Sequence, residues 1–141
     1  MGSRFKGWDK KSTENKKVRN ATKIEVDGIK FDSKLEAYFY GLLKQLDIPF
    51  TMKEKIVLQE KFKYGSESIR GIYMLPDFKI LGLGYPVYVD TKGFFTDLSR
   101  QKFKMLKKHL SDRYEYSEIH LPKNQKECNE LASRLKSLTS H

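Results

Sequence analysis

The order of strand and helix signals predicts an α/β protein in which a central mixed β-sheet is flanked by helices. Three observations carry that expectation. Runs with strand character recur at 24–31, 54–63, 68–80, 87–92 and 114–121, and three stretches with helical spacing interrupt them. The strands cluster between the first and second helices instead of alternating with them, which argues against a doubly wound chain. A chain of 141 residues that is 38% hydrophobic, with nine Phe and eight Tyr, suits one domain with a real core. The expected division is a basic arm over 1–23 and a single domain over 24–141.

The arm is polar and basic without apolar periodicity, and reads as flexible and solvated. Phe5 and Trp8 are its only large apolar groups, available to stack on bases or dock on the domain. Ile24 to Phe31 alternates around Asp27-Gly28, the strongest short hairpin signal, so two short strands are expected. A helix should start at Ser33. Ser33 and Glu36 form a capping box, and Leu35, Phe39, Leu42, Leu43 and Leu46 share one helical face. Pro49 is expected to stop it. Residues 54–63 and 68–80 read as two long strands joined by a turn at Tyr64-Gly65-Ser66-Glu67, with Pro76 breaking the ladder or marking an edge or bulge. Gly82, Gly84 and Pro86 turn the chain into a strand over Val87–Lys92. From Asp97 to Leu110 the pattern is helical, with Leu98, Met105, Leu106 and Leu110 inward, and Tyr114–Leu121 is a further strand. Asn124 with Glu127 caps a last helix that turns Cys128, Leu131, Ala132, Leu135 and Leu138 inward.

The net charge of +10 and a pI near 9.6 point to a polyanionic partner, nucleic acid before membrane. The excess is uneven: eight Lys/Arg against Asp9 and Glu14 give residues 1–23 a net +6, leaving +4 for the other 118. A lone cysteine, Cys128, excludes an intramolecular disulfide and the usual cysteine-based zinc site. No apolar run approaches the ~18 residues of a spanning helix, and no secretory apolar region follows the basic start. Lys6 stands where N-myristoylation would need Ser or Thr. A soluble, intracellular protein is expected. His109, His120 and His141 lack metal-ligand spacing and read as structural or surface groups.

The chemistry concentrates in Val87 to Gly93, Val-Tyr-Val-Asp-Thr-Lys-Gly. Strand alternation puts Asp90 and Lys92 on one face, with Cβ atoms roughly 7 Å apart. An acid and an amine so placed can hold a divalent cation and handle a water beside it. Asp77, in Leu75-Pro76-Asp77-Phe78, is a second candidate carboxylate, and Glu36 near a helix start is a third. Each has an ordinary reading too: Glu36 as a helix cap, Asp77 as a turn residue, Asp90 and Lys92 as a solvated strand end.

An acid on an early helix, Pro-Asp at a strand break, then Asp-x-Lys on the next strand is the order found in the PD-(D/E)XK nucleases, which this chain resembles. More closely, it is similar to a small phage- and prophage-encoded endonuclease branch that is Holliday junction resolvase-like. The likeness runs through Val26-Asp27-Gly28-Ile29-Lys30-Phe31-Asp32-Ser33-Lys34-Leu35-Glu36-Ala37, Leu58-Gln59, Pro76-Asp77-Phe78 and Val89-Asp90-Thr91-Lys92-Gly93. It covers about residues 15–121.

The resemblance implies a restriction-endonuclease-like core and a Mg²⁺-dependent site, with Mn²⁺ as a substitute. Asp77 and Asp90 would ligate the metal, the Thr91 carbonyl would complete the inner shell, and Glu36 would bind directly, through water or at a second ion. Lys92 would orient the attacking water or assist its deprotonation. Mg²⁺ prefers hard oxygen ligands and keeps several waters, which explains the residue types. The implied activity is phosphodiester hydrolysis on DNA, branched or double-stranded, in phage recombination or packaging inside the bacterial cytoplasm. A junction resolvase must cut two strands symmetrically, so a homodimer is expected. The alternatives are a nicking or mismatch-type endonuclease and a DNA-binding module without turnover. Gln59 and Tyr73 are candidates for supporting the acids, and Lys61, on the same strand as Gln59, is expected to face the same cleft or to lie on an outward polar strand face. Arg70 and the basic helix (Arg100, Lys102, Lys104, Lys107, Lys108) are candidates for phosphate contact, as are Lys16, Lys17 and Arg19 of the arm.

Overall fold

The computed structural model describes residues 23–91 and 96–140. The expectations for the arm, for Lys92 and for His141 therefore lie outside the described residues. Packing divides the chain into two units, 1–37 and 38–141. The boundary falls inside the first helix.

In the smaller unit, β1 (Ile24–Val26) and β2 (Ile29–Phe31) pair antiparallel. Asp27 and Gly28 both take positive φ, 55° and 77°. A two-residue hairpin needs this to match the twist of its strands. Helix α1 (Lys34–Gln45) then opens on Ser33, whose Oγ accepts the Glu36 amide at 3.1 Å. Glu36 Oε1 accepts the Asp32 amide at 2.9 Å, so the acid does bond back to backbone ahead of its own helix.

The helix stops before Pro49 acts. Asp47 takes φ 58°, its amide reaches Lys44 O at 3.2 Å, and the Ile48 amide reaches Leu43 O at 3.0 Å. That pair of bonds is a Schellman ending, with buried Ile48 as its apolar contact.

The larger unit is built on a four-stranded sheet of order β10-β9-β8-β3, from Glu118–His120, Val87–Val89, Phe78–Ile80 and Phe50–Met52. Only β9 and β10 run parallel, so the sheet is mixed, as expected. Strand β3 was not expected. It follows Pro49 directly and pairs Met52 with Phe78. Phe78 is fully buried, with the rings of Phe39 and Phe50 edge-on at 5.3 and 5.8 Å.

The two long strands are broken. β4 (Ile56–Gln59) pairs with β7 (Ile72–Met74), and β5 (Phe62–Tyr64) pairs separately with β6 (Glu67–Ile69) around the expected turn. The register shifts between Val57 and Gln59, and Gly71 lies where the ribbon is interrupted. A Cβ on Gly71 would stand 2.7 Å from Gln59 O and 3.1 Å from Lys61 N, so only glycine lets the two backbones pass. Pro76 ends the ladder before β8, as expected.

Helix α2 (Asp97–Arg113) is capped by Thr96 and Ser99, each accepting the other's amide. It packs on β4 and β7 through Phe103, Leu106 and Leu110, which form a core with Ile56, Met74 and Tyr88. Leu98, expected inward, is 62% exposed: it sits in the first turn, ahead of that contact. Helix α3 (Gln125–Thr139) has Asn124 as its N-cap, accepting the Glu127 amide at 2.9 Å. Cys128, Leu131, Ala132 and Leu135 are buried, whereas Leu138, in the last turn, is 38% exposed. Burial pushes the Cys128 thiol up to about 11, so it stays protonated as a core residue. No described helix is long and apolar enough to cross a membrane.

Candidate active site

The antiparallel β8–β9 ladder pairs Phe78 with Val89. One step further along, Asp77 and Asp90 leave the same end of the two strands. Side chains opposite each other across such a ladder share a face. The expected strand over 87–92 ends at Val89, and Asp90 lies just past it, its amide donating to His120 O at 3.0 Å. Tyr88 is buried as well, so this strand is covered on both faces rather than having one solvated.

Asp77, Asp90 and Thr91 are 2–3% exposed. A carboxylate at that depth must be compensated, since an uncompensated buried charge costs several kcal/mol. Asp77 Oδ2 accepts the Thr91 amide at 2.8 Å and its hydroxyl at 2.9 Å. Asp77 Oδ1 accepts Lys53 Nζ at 2.8 Å. Thr91 was expected to offer its carbonyl; its amide and hydroxyl have a role of their own, fixing the Asp77 carboxylate.

Lys53 is the residue that sequence reasoning missed. It follows β3, one step beyond the Met52–Phe78 pair, and so arrives opposite Asp77. Its amide also donates to Asp77 O at 3.3 Å, and it takes φ 55°, a region most side chains avoid. The signal for it was the run Lys53-Glu54-Lys55, legible only once β3 is placed.

Glu36 belongs to the smaller unit and is 2% exposed there. Among the described residues no group of three or more His, Cys, Asp or Glu stands in metal-holding geometry.

Of the two residues expected to support the acids, Tyr73 lines a cleft together with Asp90 and Gln59 does not. Gln59 is exposed beyond the irregularity in β4, and Tyr73 is 48% exposed on β7. Neither hydrogen-bonds to Asp77 or Asp90; Thr91 and Lys53 take that role for Asp77. Instead, Tyr73 carries Lys55 Nζ at 4.7 Å and Lys102 Nζ at 5.9 Å from its ring centroid. Lys61, Arg70, Lys104 and Lys107 are exposed, Arg100 is bonded to Asp97 at 3.0 Å, and Lys108 to Asp112 at 2.9 Å. His120 contacts Glu118 at 2.7 Å, and burial together with nearby Arg113 lowers the His109 pKa.

Taken together, this is a mixed α/β protein with two buried carboxylates at the end of its central strands. The chain belongs to the DUF1064 family, described as a protein of unknown function, whose model matches residues 16–128. No curated protein and no solved structure matches it.

Proposed function

We propose that this protein is a Mg²⁺-dependent endodeoxyribonuclease of the PD-(D/E)XK kind. The observation that carries the reading is the emergence of Asp77 and Asp90, both buried, from the same end of β8 and β9. Two carboxylates offering hard oxygens, with water and phosphate filling the remaining positions, fit Mg²⁺. Mn²⁺ takes the same donors.

Bound there, the ion would polarise a phosphate oxygen and acidify a water. Asp77 and Asp90 would hold it. Thr91 keeps the Asp77 carboxylate oriented through two hydrogen bonds, and its carbonyl is a further candidate ligand. Lys53 compensates Asp77 from the side of Oδ1. The roles of Lys92 at the attacking water and of Glu36 as a further ligand rest on the resemblance alone. So do branched DNA as substrate, a dimeric enzyme and a place in phage recombination or packaging.

A second reading has one observation in its favour. The Lys53–Asp77 pair already supplies a cation to the acid, as it would in a DNA-binding module without turnover. Incubation with linear, nicked, flapped and four-way DNAs in Mg²⁺ or Mn²⁺ separates the two. Cut product that disappears with EDTA is expected. Retention of DNA without any cut, with either metal, selects the binding module.

A further inference from the structure

The surface next to the acids is a cleft of about 620 Å³, and its lining runs from Asp90 to Tyr73, Leu75, Leu98 and Lys102. That volume falls within the roughly 300–1,000 Å³ of pockets that enclose small organic groups. Three large apolar side chains in it face water: Tyr73 at 48%, Leu75 at 42% and Leu98 at 62% exposed. An exposed apolar cluster beside charged groups marks a contact surface more often than a random surface does.

Its charge says which partner. Lys55 and Lys102 come from separate elements, the chain ahead of β4 and helix α2, yet both ammonium groups lie within 6 Å of the Tyr73 ring. Neither is paired with a carboxylate among the described residues. Two like charges drawn to one ring make a positive field around an aromatic face. Ammonium contact with an exposed ring is weak, and both lysines have flexible stems that can turn to a phosphate.

An aromatic platform with unpaired lysines at its rim is how sequence-tolerant proteins seat single-stranded bases. A fully paired duplex keeps its bases stacked inside and cannot use the platform.

We propose that Tyr73 stacks an unpaired DNA base next to the acidic strand end, while Lys55 and Lys102 hold the phosphates on either side of it. This rests on the nuclease reading and deepens it: the preferred substrate is DNA with an unpaired nucleotide beside the cleaved bond. Tyr73 acts here as a binding residue that selects structure.

The test is binding of fluorescent oligonucleotides to the full chain in EDTA, where cutting plays no part. Parent protein is expected to bind a flapped or gapped duplex more tightly than the matching continuous duplex. Tyr73→Ala should weaken flap binding about 10-fold and change duplex binding less than about 2-fold, abolishing the preference. Tyr73→Trp should restore it, which a merely structural tyrosine would not permit. Lys55→Gln and Lys102→Gln should each lower the slope of log affinity against log salt by about 0.7–0.9. Equal weakening on both DNAs, or no preference in the parent, overturns the platform. If the preference and its Tyr73 dependence hold but no metal gives cleavage, the platform stands and the nuclease reading falls.

Discussion

The parallel strand pair β9–β10 carries an acid cluster at each of its ends. At one end Glu118, opposite Val87, is gripped by Arg134 through two bonds of 3.0 Å. Tyr116 and His120 add contacts of 2.6 and 2.7 Å. At the other end Asp77 meets the amide and hydroxyl of Thr91 and the ammonium of Lys53. The difference lies in the cation. A guanidinium fork matches a carboxylate in a fixed plane, whereas a lysine is a point charge on a flexible stem. The Glu118 cluster is therefore locked, whereas on the proposed reading the Lys53 ammonium at Asp77 would give way to a metal ion.

The largest effect that would break this contrast is on turnover. Asp77→Asn and Asp90→Asn should each lower cleavage by ~10³-fold or more, because a neutral amide is a poor ligand for Mg²⁺. Binding to DNA at low salt should be retained. Variants that cut like the parent would show that the exchangeable end is not the reacting one.

Lys53→Met tests the exchange itself. It leaves the buried Asp77 carboxylate short of a positive neighbour, and should cost about 1–3 kcal/mol, reduced because Lys53 is 36% exposed. Added Mg²⁺ should then stabilise this variant more than the parent, read as a larger rise in melting temperature. Equal responses would mean that the ion does not take the place of the ammonium.

At the locked end, Glu118→Gln should cost about 1–2 kcal/mol in urea unfolding and leave cleavage within about 2-fold. A smaller, pH-dependent effect sharpens the same point. The Arg134 hydrogen bonds, helped by Tyr116 and His120 against the opposing effect of burial, hold the Glu118 carboxyl down at about 2. A depressed acid stabilises the fold fully above its unfolded value of about 4.5, and the gain is lost as pH falls toward 2. Between those limits the parent should lose stability more steeply than Glu118→Gln. Parallel curves would remove Glu118 from the account.

Local signals were the readable part of this chain. The Asp27-Gly28 turn and the Ser33 and Asn124 caps are properties of a few neighbouring residues, and each formed where its spacing predicts. What depended on distant partners was harder to read. Phe50-Thr51-Met52 is too short for any periodicity and is a strand because β8 pairs with it. The long strands 54–63 and 68–80 have continuous β-type composition, and only the close approach at Gly71 and the register shift in β4 divide them. Leu98 carries the right spacing for an inward residue but lies ahead of the helix's packing contact. Asp77 and Asp90 could be picked out by type and order. Lys53 could not, because its position opposite Asp77 follows from a pairing register that no nearby residue announces.

Gly71, which lines the same cleft as Tyr73, acts on this arrangement through the backbone. A methyl group there would have to displace the facing main chain of Gln59 to Lys61, not a pliable side-chain tip. The disturbance starts two positions before Tyr73. If the platform reading holds, Gly71→Ala should accordingly blur the discrimination between flapped and continuous DNA, so that a tight passage of two backbones would bear on how choosy the protein is.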